Sequence, residues 1–234
     1  TLNSTLKAGV TDSLAGQYAT TDVVVTGSDD VAAIRAVPGV HAVTEDVSAS
    51  VKVHRGGEGS SFGSAQSVSD DPELRWQTLS DGRFPDAPGE VAVSASSDAP
   101  IGSELTVTTL SSDAPVSETA TVVGLVDLSG TAQDMNGTTV FATAGQLDAW
   151  TSGNGSREIR IAGDGVMSQQ QLADRVRAAL PTDVTVDTGA RQAELASQQF
   201  LGDSDLLASV LLAFGAIAAA GVIMGAILFV VNGS

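Results

Sequence analysis

Gly59-Ser60-Ser61-Phe62-Gly63 is the stretch of this 234-residue chain that spells a catalytic motif, G-x-S-x-G. In that motif the serine sits on a sharp strand-to-helix turn, with its hydroxyl free to attack an acyl carbon. The chemistry needs a buried strand before the turn, a helix after it, and a histidine later in the chain. Here His54-Arg55-Gly56-Gly57-Glu58 precedes the motif and Ser64-Ala65-Gln66-Ser67 follows it. The only two histidines, His41 and His54, both come before the serine. Ser61 is therefore not expected to act as a nucleophile.

Other chemistry is equally thin. Two isolated histidines and no cysteine make no transition-metal cluster, and exclude disulfides and thiolate catalysis. Asp70-Asp71-x-Glu73 has the residue types of a cation site, but such runs more often open a helix or line a solvated loop. Asp127 to Asp134 lacks the calcium-loop pattern. No phosphate-binding G-x-x-x-x-G-K-[ST] run is present, so the chain hydrolyses no nucleotide by that route. Asn3-Ser4-Thr5, Asn136-Gly137-Thr138 and Asn154-Gly155-Ser156 fit the glycosylation pattern and read as polar turns. No catalytic, cofactor-binding or metal-binding residue is expected.

The elements that would hold any site explain this emptiness. Apolar residues make up 42% and aromatic residues 4%, so the core must be built from Val, Leu, Ile and Ala. The net charge is −17, which repels nucleic-acid phosphates and sets nucleic-acid binding aside. Leu206 to Val231 is 26 residues without a charge. About 20 apolar residues at roughly 1.5 Å each cross a bilayer's hydrocarbon core, so a membrane helix with ends at Leu206 and Val231 is expected. A buried core helix is the alternative, but such helices seldom run this long without a polar face. Gly221 with Gly225, and Gly215 with Ala219, are small-xxx-small pairs that let helices pack closely in lipid.

Two amphipathic stretches flank the remaining residues. Leu2, Leu6, Val10, Leu14 and Tyr18 recur at every fourth position. Ala193, Ala196 and Phe200 share a face of a helix through Arg191–Phe200, capped by Asp187 or Thr188. They read as two stalks, with Gly202 as a hinge between the second stalk and the membrane helix. Between them a unit repeats: strand, helix, Pro, strand. The first copy runs Asp22–Val25, a helix capped near Ser28 or Asp29 with Val31, Ile34 and Val37 inward, Pro38-Gly39, then Val40–Val43. The second runs Glu158–Ile161, a helix opened by a Ser168/Gln171 capping box with Leu172, Val176 and Leu180 inward, Pro181, then Val184–Val186. Two such units commonly share one sheet in a split βαβ arrangement. The middle is strand-rich, with Glu90–Val93, Glu104–Thr108 and Thr119–Val126 the clearest strands. His54–Gly63 is Gly/Ser-rich and is expected to be a mobile loop.

The order of these parts resembles the extracytoplasmic region of MacB/FtsX-type (type VII) ABC transporter permeases. Ala36-Val37-Pro38-Gly39-Val40 looks like that family's helix, Pro-Gly-Val, strand step. Gly82-Arg83-Phe84-Pro85, with Pro88-Gly89-Glu90-Val91-Ala92-Val93, looks like its way into an inserted β-rich subdomain called Sabre. Ile101–Val107 and Val122–Val126 resemble the strands that follow, and Phe229–Asn232 the end of its second membrane helix. The Gly/Ser stretch at His54–Gly63 has no counterpart in that pattern.

The resemblance implies an α+β fold: a split βαβ porter-like subdomain, an inserted Sabre-like subdomain, flanking stalk helices and one transmembrane helix. The implied boundaries are 1–21 for the first stalk and 22–80 for the first porter half. Residues 81–130 form the insertion, 131–188 the second porter half, 189–205 the second stalk and 206–231 the membrane helix. It further implies a multi-pass protein of the cell membrane with residues 1–205 outside the cytoplasm. The implied partners are a cytoplasmic ABC ATPase dimer that alone hydrolyses ATP, a second permease copy or homologue, membrane lipids, and an extracytoplasmic partner protein. In this scheme the stalks carry ATP-driven movement outward (mechanotransmission), to move a substrate or activate a partner. An extracytoplasmic sensor or scaffold domain of a membrane receptor is the alternative.

Overall fold

The computed structural model describes residues 15–56, 59–110, 115–129 and 137–198. The chain divides into two units, Thr1–Glu194 and Leu195–Ser234. The architecture below is that of the first.

Both copies of the repeat form as their sequences dictate. In the first, β1 (Val23–Thr26) leads to the short helix α1 (Val31–Arg35) and then to β2 (Val40–Arg55). The helix cap lies one residue beyond the expected pair. Asp30 accepts from the Ala33 amide at 2.8 Å, while the Ser28 hydroxyl accepts from the Asp30 amide. Pro38 cannot continue a helix, and Gly39 takes up φ +97° to turn the chain into β2. In the second copy, β9 (Ser156–Gly163) precedes a helix at Gln169–Ala179, and β10 (Thr185–Thr188) follows. The capping box is complete: Ser168 Oγ accepts from the Gln171 amide, and Gln171 Oε1 accepts from the Ser168 amide. Leu180 is extended, as the residue before a proline must be, and the helix stops there.

These four strands interleave in the order β10-β1-β9-β2, every neighbour antiparallel. Each copy therefore brackets a strand of the other, which is the split βαβ arrangement. Valines and isoleucines at alternate positions bury one face under the two helices: Val23, Val25, Val43, Ile159 and Ile161 pack with Ile34, Val37, Leu172 and Val176.

The middle of the chain closes on itself. It contains β3 (Ser60–Ser67), β4 (Leu79–Gly82), β5 (Glu90–Ser94), β6 (Glu104–Thr109), β7 (Ser117–Val126) and β8 (Thr138–Ala142). β2 pairs with β6, β6 with β7, β7 with β5, β5 with β8, β8 with β3, and β3 with β2. The ring is a six-stranded barrel, and β4 lies outside it against β7. Val51, Val53, Val91, Val93, Leu105, Val107, Val122 and Val140 fill its interior. Leu147 and Trp150 join that core from the helix Ala144–Thr151, hereafter α2, which makes Gln169–Ala179 α3.

The expected loop at His54–Gly63 is instead a hairpin. Ser48–His54 pair with Ser60–Gln66, so β2 runs on to Arg55 and β3 begins at Ser60. The glycine that suggested mobility serves close approach. A Cβ on Gly63 would meet the Thr138 carbonyl oxygen at 1.9 Å, where β8 pairs with β3.

Candidate functional site

The face of the β10-β1-β9-β2 sheet that lies away from α1 and α3 carries a polar cluster built around a buried arginine. Strand alternation puts it there. In Glu158-Ile159-Arg160-Ile161 the isoleucines point to the helices, so Glu158 and Arg160 point the other way. Asp46 of β2 is the register partner of Glu158.

Arg160 is 2% exposed and organises the cluster. Its Nη1 donates to Asp46 Oδ2 at 3.0 Å. Its Nε and Nη2 donate to Thr21 Oγ1 at 3.0 and 2.8 Å. Nη2 also donates to the Gln17 carbonyl at 2.6 Å. Residues 15–17 are helical, so that carbonyl is one of the orphan acceptors of a helix C-terminus, where a cation is favoured. The guanidinium lies 5.5 Å from the centre of the Tyr18 ring, and the Tyr18 hydroxyl donates to both Glu158 oxygens at 3.3 Å. One buried fork thus fastens the end of the first helical stretch to the sheet.

Burial sets the electrostatics. It pushes the Asp46 carboxyl up, against the opposing pull of Arg160. It pushes Glu158 up as well, and the Asp46 charge adds to that. Tyr18 is raised by its burial and then by Glu158, so its phenol keeps its proton. Gln17 Nε2 and Asp46 Oδ1 are buried without a hydrogen-bond partner among the described residues. They border a cavity of about 320 Å³, between Tyr18 on one side and Gln66 and Trp76 on the other.

The second helical stretch leaves from the same place. β1 pairs with β10, with Val23 opposite Thr188. The Gly189 amide donates to the Asp22 carbonyl at 2.9 Å, and the Asp22 amide to the Ile161 carbonyl at 2.8 Å. Asp22 Oδ2 accepts from the Gly163 amide at 2.7 Å, and Oδ1 from Gln169 Nε2 at 3.2 Å. Thr188, one of the two expected caps, accepts from the Arg191 amide at 3.2 Å and opens the helix at 189–198.

The residues singled out in the sequence fall elsewhere. Leu206, Val231, Gly202, Gly215, Ala219, Gly221 and Gly225 lie outside the described residues, as do residues 1–14 of the expected first stalk. Among the described residues no helix is long and apolar enough to cross a membrane. Ser61 is exposed near the start of β3, its Oγ 3.4 Å from Thr138 Oγ1, with no strand-to-helix turn around it. Asp71 accepts from the Glu73 amide at 2.9 Å, and Glu73 pairs with His41 at 3.2 Å, so that acidic run is a turn. Among the described residues no three metal-ligating side chains gather. Asn154 Nδ2 donates to the Ser152 carbonyl within a turn. The signal missed was the pair of charges at alternate positions of the apolar strand at Glu158–Ile161, which reports a polar face with partners to find.

No protein-family model and no curated protein sequence matches the chain. Solved structures do. The periplasmic region of MacB from Actinobacillus actinomycetemcomitans superposes with a TM-score of 0.51 at 12% identity, covering 74% of this chain and 91% of that one. The extracellular domain of the noncanonic ABC-type transporter YknZ from Gram-positive bacteria gives a TM-score of 0.51 at 12% identity, covering 69% of this chain and 88% of that one. The fold of this chain is therefore the one seen in these two extracytoplasmic domains.

Proposed function

We propose that the chain is the extracytoplasmic domain of an ABC transporter permease subunit, with Leu206–Val231 as the membrane helix that follows it. A separate cytoplasmic ATPase dimer supplies the work. The two stalks carry the resulting movement to the domain, which shifts a substrate or a partner protein outside the membrane. The domain itself hydrolyses nothing in this reading.

The observation that carries it is the common root of the two stalks. Strands β1 and β10 are hydrogen-bonded neighbours, and the chain reaches Thr21 and leaves at Gly189 side by side. A relative movement of two membrane spans delivered at one point acts as a lever on the whole sheet. Arg160 fastens one root and the Thr188 cap starts the other helix. The likeness in fold to the extracytoplasmic domains of two transporters supports the same reading.

The test is co-purification of the full-length protein from its native membrane, with an ATPase assay on what accompanies it. A nucleotide-binding subunit with vanadate-sensitive hydrolysis is expected. Ala196→Pro, in the helix at 189–198, is expected to leave hydrolysis intact and abolish transport. Normal transport by that variant defeats the lever, and a preparation with no ATPase points to a sensor or scaffold.

A further inference from the structure

Asp46 and Glu158 stand directly opposite each other on β2 and β9. Directly opposed residues of an antiparallel pair have Cβ atoms about 5 Å apart, and like charges there are destabilising. The charged and titratable groups facing the pair, among the described residues, are Arg160 on β9 and Tyr18 on the docked segment. The neighbouring elements contribute neutral side chains: Gln17 and Thr21 from the docked segment, Thr26 from β1, Gln66 from β3, and Trp76. Glu45 and Arg157 belong to the opposite face, where Arg157 joins Glu45 and Asp148. Two carboxylates therefore share one guanidinium. Arg160 also spends donors on Thr21 and Gln17, and Asp46 Oδ1 has no hydrogen-bond partner among the described residues.

An uncompensated negative charge held out of water is costly, and a carboxylate in that position takes a proton instead. We propose that Asp46 and Glu158 share one proton drawn from solvent, and that docking of residues 15–21 onto the sheet takes it up, so that this latch tightens in acid and slackens towards neutral pH. The idea rests on the lever reading only for its consequence, a stalk whose grip depends on the pH outside the membrane.

Burial raises both carboxyls in the docked state. Undocked, both meet water and return to the ordinary carboxylate range. The docked state then binds more protons between the ordinary and the raised values. Its stabilisation is complete below the ordinary carboxylate pKa and is lost as pH rises through the raised one.

The experiment is hydrogen exchange on the 234-residue chain in detergent micelles, corrected for intrinsic exchange chemistry. Protection of the 15–21 amides, relative to those of β7, is expected to fall several-fold between about pH 4 and about pH 7.5, in the direction the raised carboxyls set. Glu158→Gln is expected to remove the dependence. Equal relative protection at both ends in the wild type, or an unchanged dependence in Glu158→Gln, overturns the proposal. If that variant does not fold, a carbon-13 carboxyl titration of the wild type decides. Two separated steps, the upper one above the ordinary carboxylate range, are expected for the pair. Two steps within that range refute the shared proton. Neither readout involves an ATPase, so the latch and the transporter reading stand or fall separately.

Discussion

A Cβ built on Gly189 would lie 1.9 Å from the carbonyl oxygen of Thr21, closer than any side chain permits. The segment ending at Thr21 and the helix at 189–198 thus start within one backbone contact of each other. Gly189→Ala must push the roots apart and strain the hydrogen bond from Gly189 to Asp22. The expected loss is about 1–3 kcal/mol in urea unfolding, the range for forced overpacking. Stability equal to wild type would mean that the contact relaxes freely and the roots are not locked.

Removing Arg160 leaves the part-buried Asp46 and Glu158 without their counterion. Arg160→Met is expected to destabilise by about 3–5 kcal/mol. Adding Asp46→Asn should recover part of that loss, because one of the stranded charges goes with it. Arg160→Lys keeps the charge but not the fork that reaches Thr21, Gln17 and Asp46 together, so it should fall between the two. Additive losses in the double variant would break the link between the two residues.

The barrel closes where β3 meets β8, and Gly63 admits the Thr138 carbonyl there. Gly63→Ala should destabilise by about 1–3 kcal/mol and raise the exchange of β8 amides more than those of β1. Uniform effects on both would place the close approach outside the barrel's closing seam.

On the surface, the Arg83 guanidinium forks onto the Glu90 carboxylate, with Asp86 beside it. The hydrogen bonds from Arg83 hold the Glu90 carboxyl down at about 2. Its contribution is present above the ordinary Glu pKa and is lost as pH falls through about 2. A carbon-13 titration of Arg83→Gln should move Glu90 up from about 2 towards the ordinary value of about 4.3, short of it by what the Asp86 amide still contributes. A midpoint still near 2 in that variant would assign the shift to the backbone rather than to Arg83.

The repeat was legible because its signals are local. A capping box at Ser168, prolines at 38 and 181, and alternate valines fix helix ends and strand faces without knowledge of the rest. The strands at Glu90, Glu104 and Thr119 were legible for the same reason. Closure of the barrel was not. It depends on β3, whose Ser- and Gly-rich sequence imitates a loop, and on the parallel pairing of β3 with β8, which no local signal announces. The polar cluster was hidden similarly. Asp46 and Glu158 are more than a hundred residues apart, and only the register of β2 against β9 makes them neighbours.

Strand β2 has 16 residues, roughly 50 Å at the usual rise. Its first half, Val40 to Ser48, is laced to β9, and its second half, Val51 to Arg55, to β6. No linker separates the barrel from the β10-β1-β9-β2 sheet, because one continuous backbone belongs to both ladders. A barrel that swivelled alone would have to shear hydrogen bonds in the middle of a strand. Turning the barrel against the sheet therefore costs backbone hydrogen bonds along β2, so the two ladders are expected to turn together.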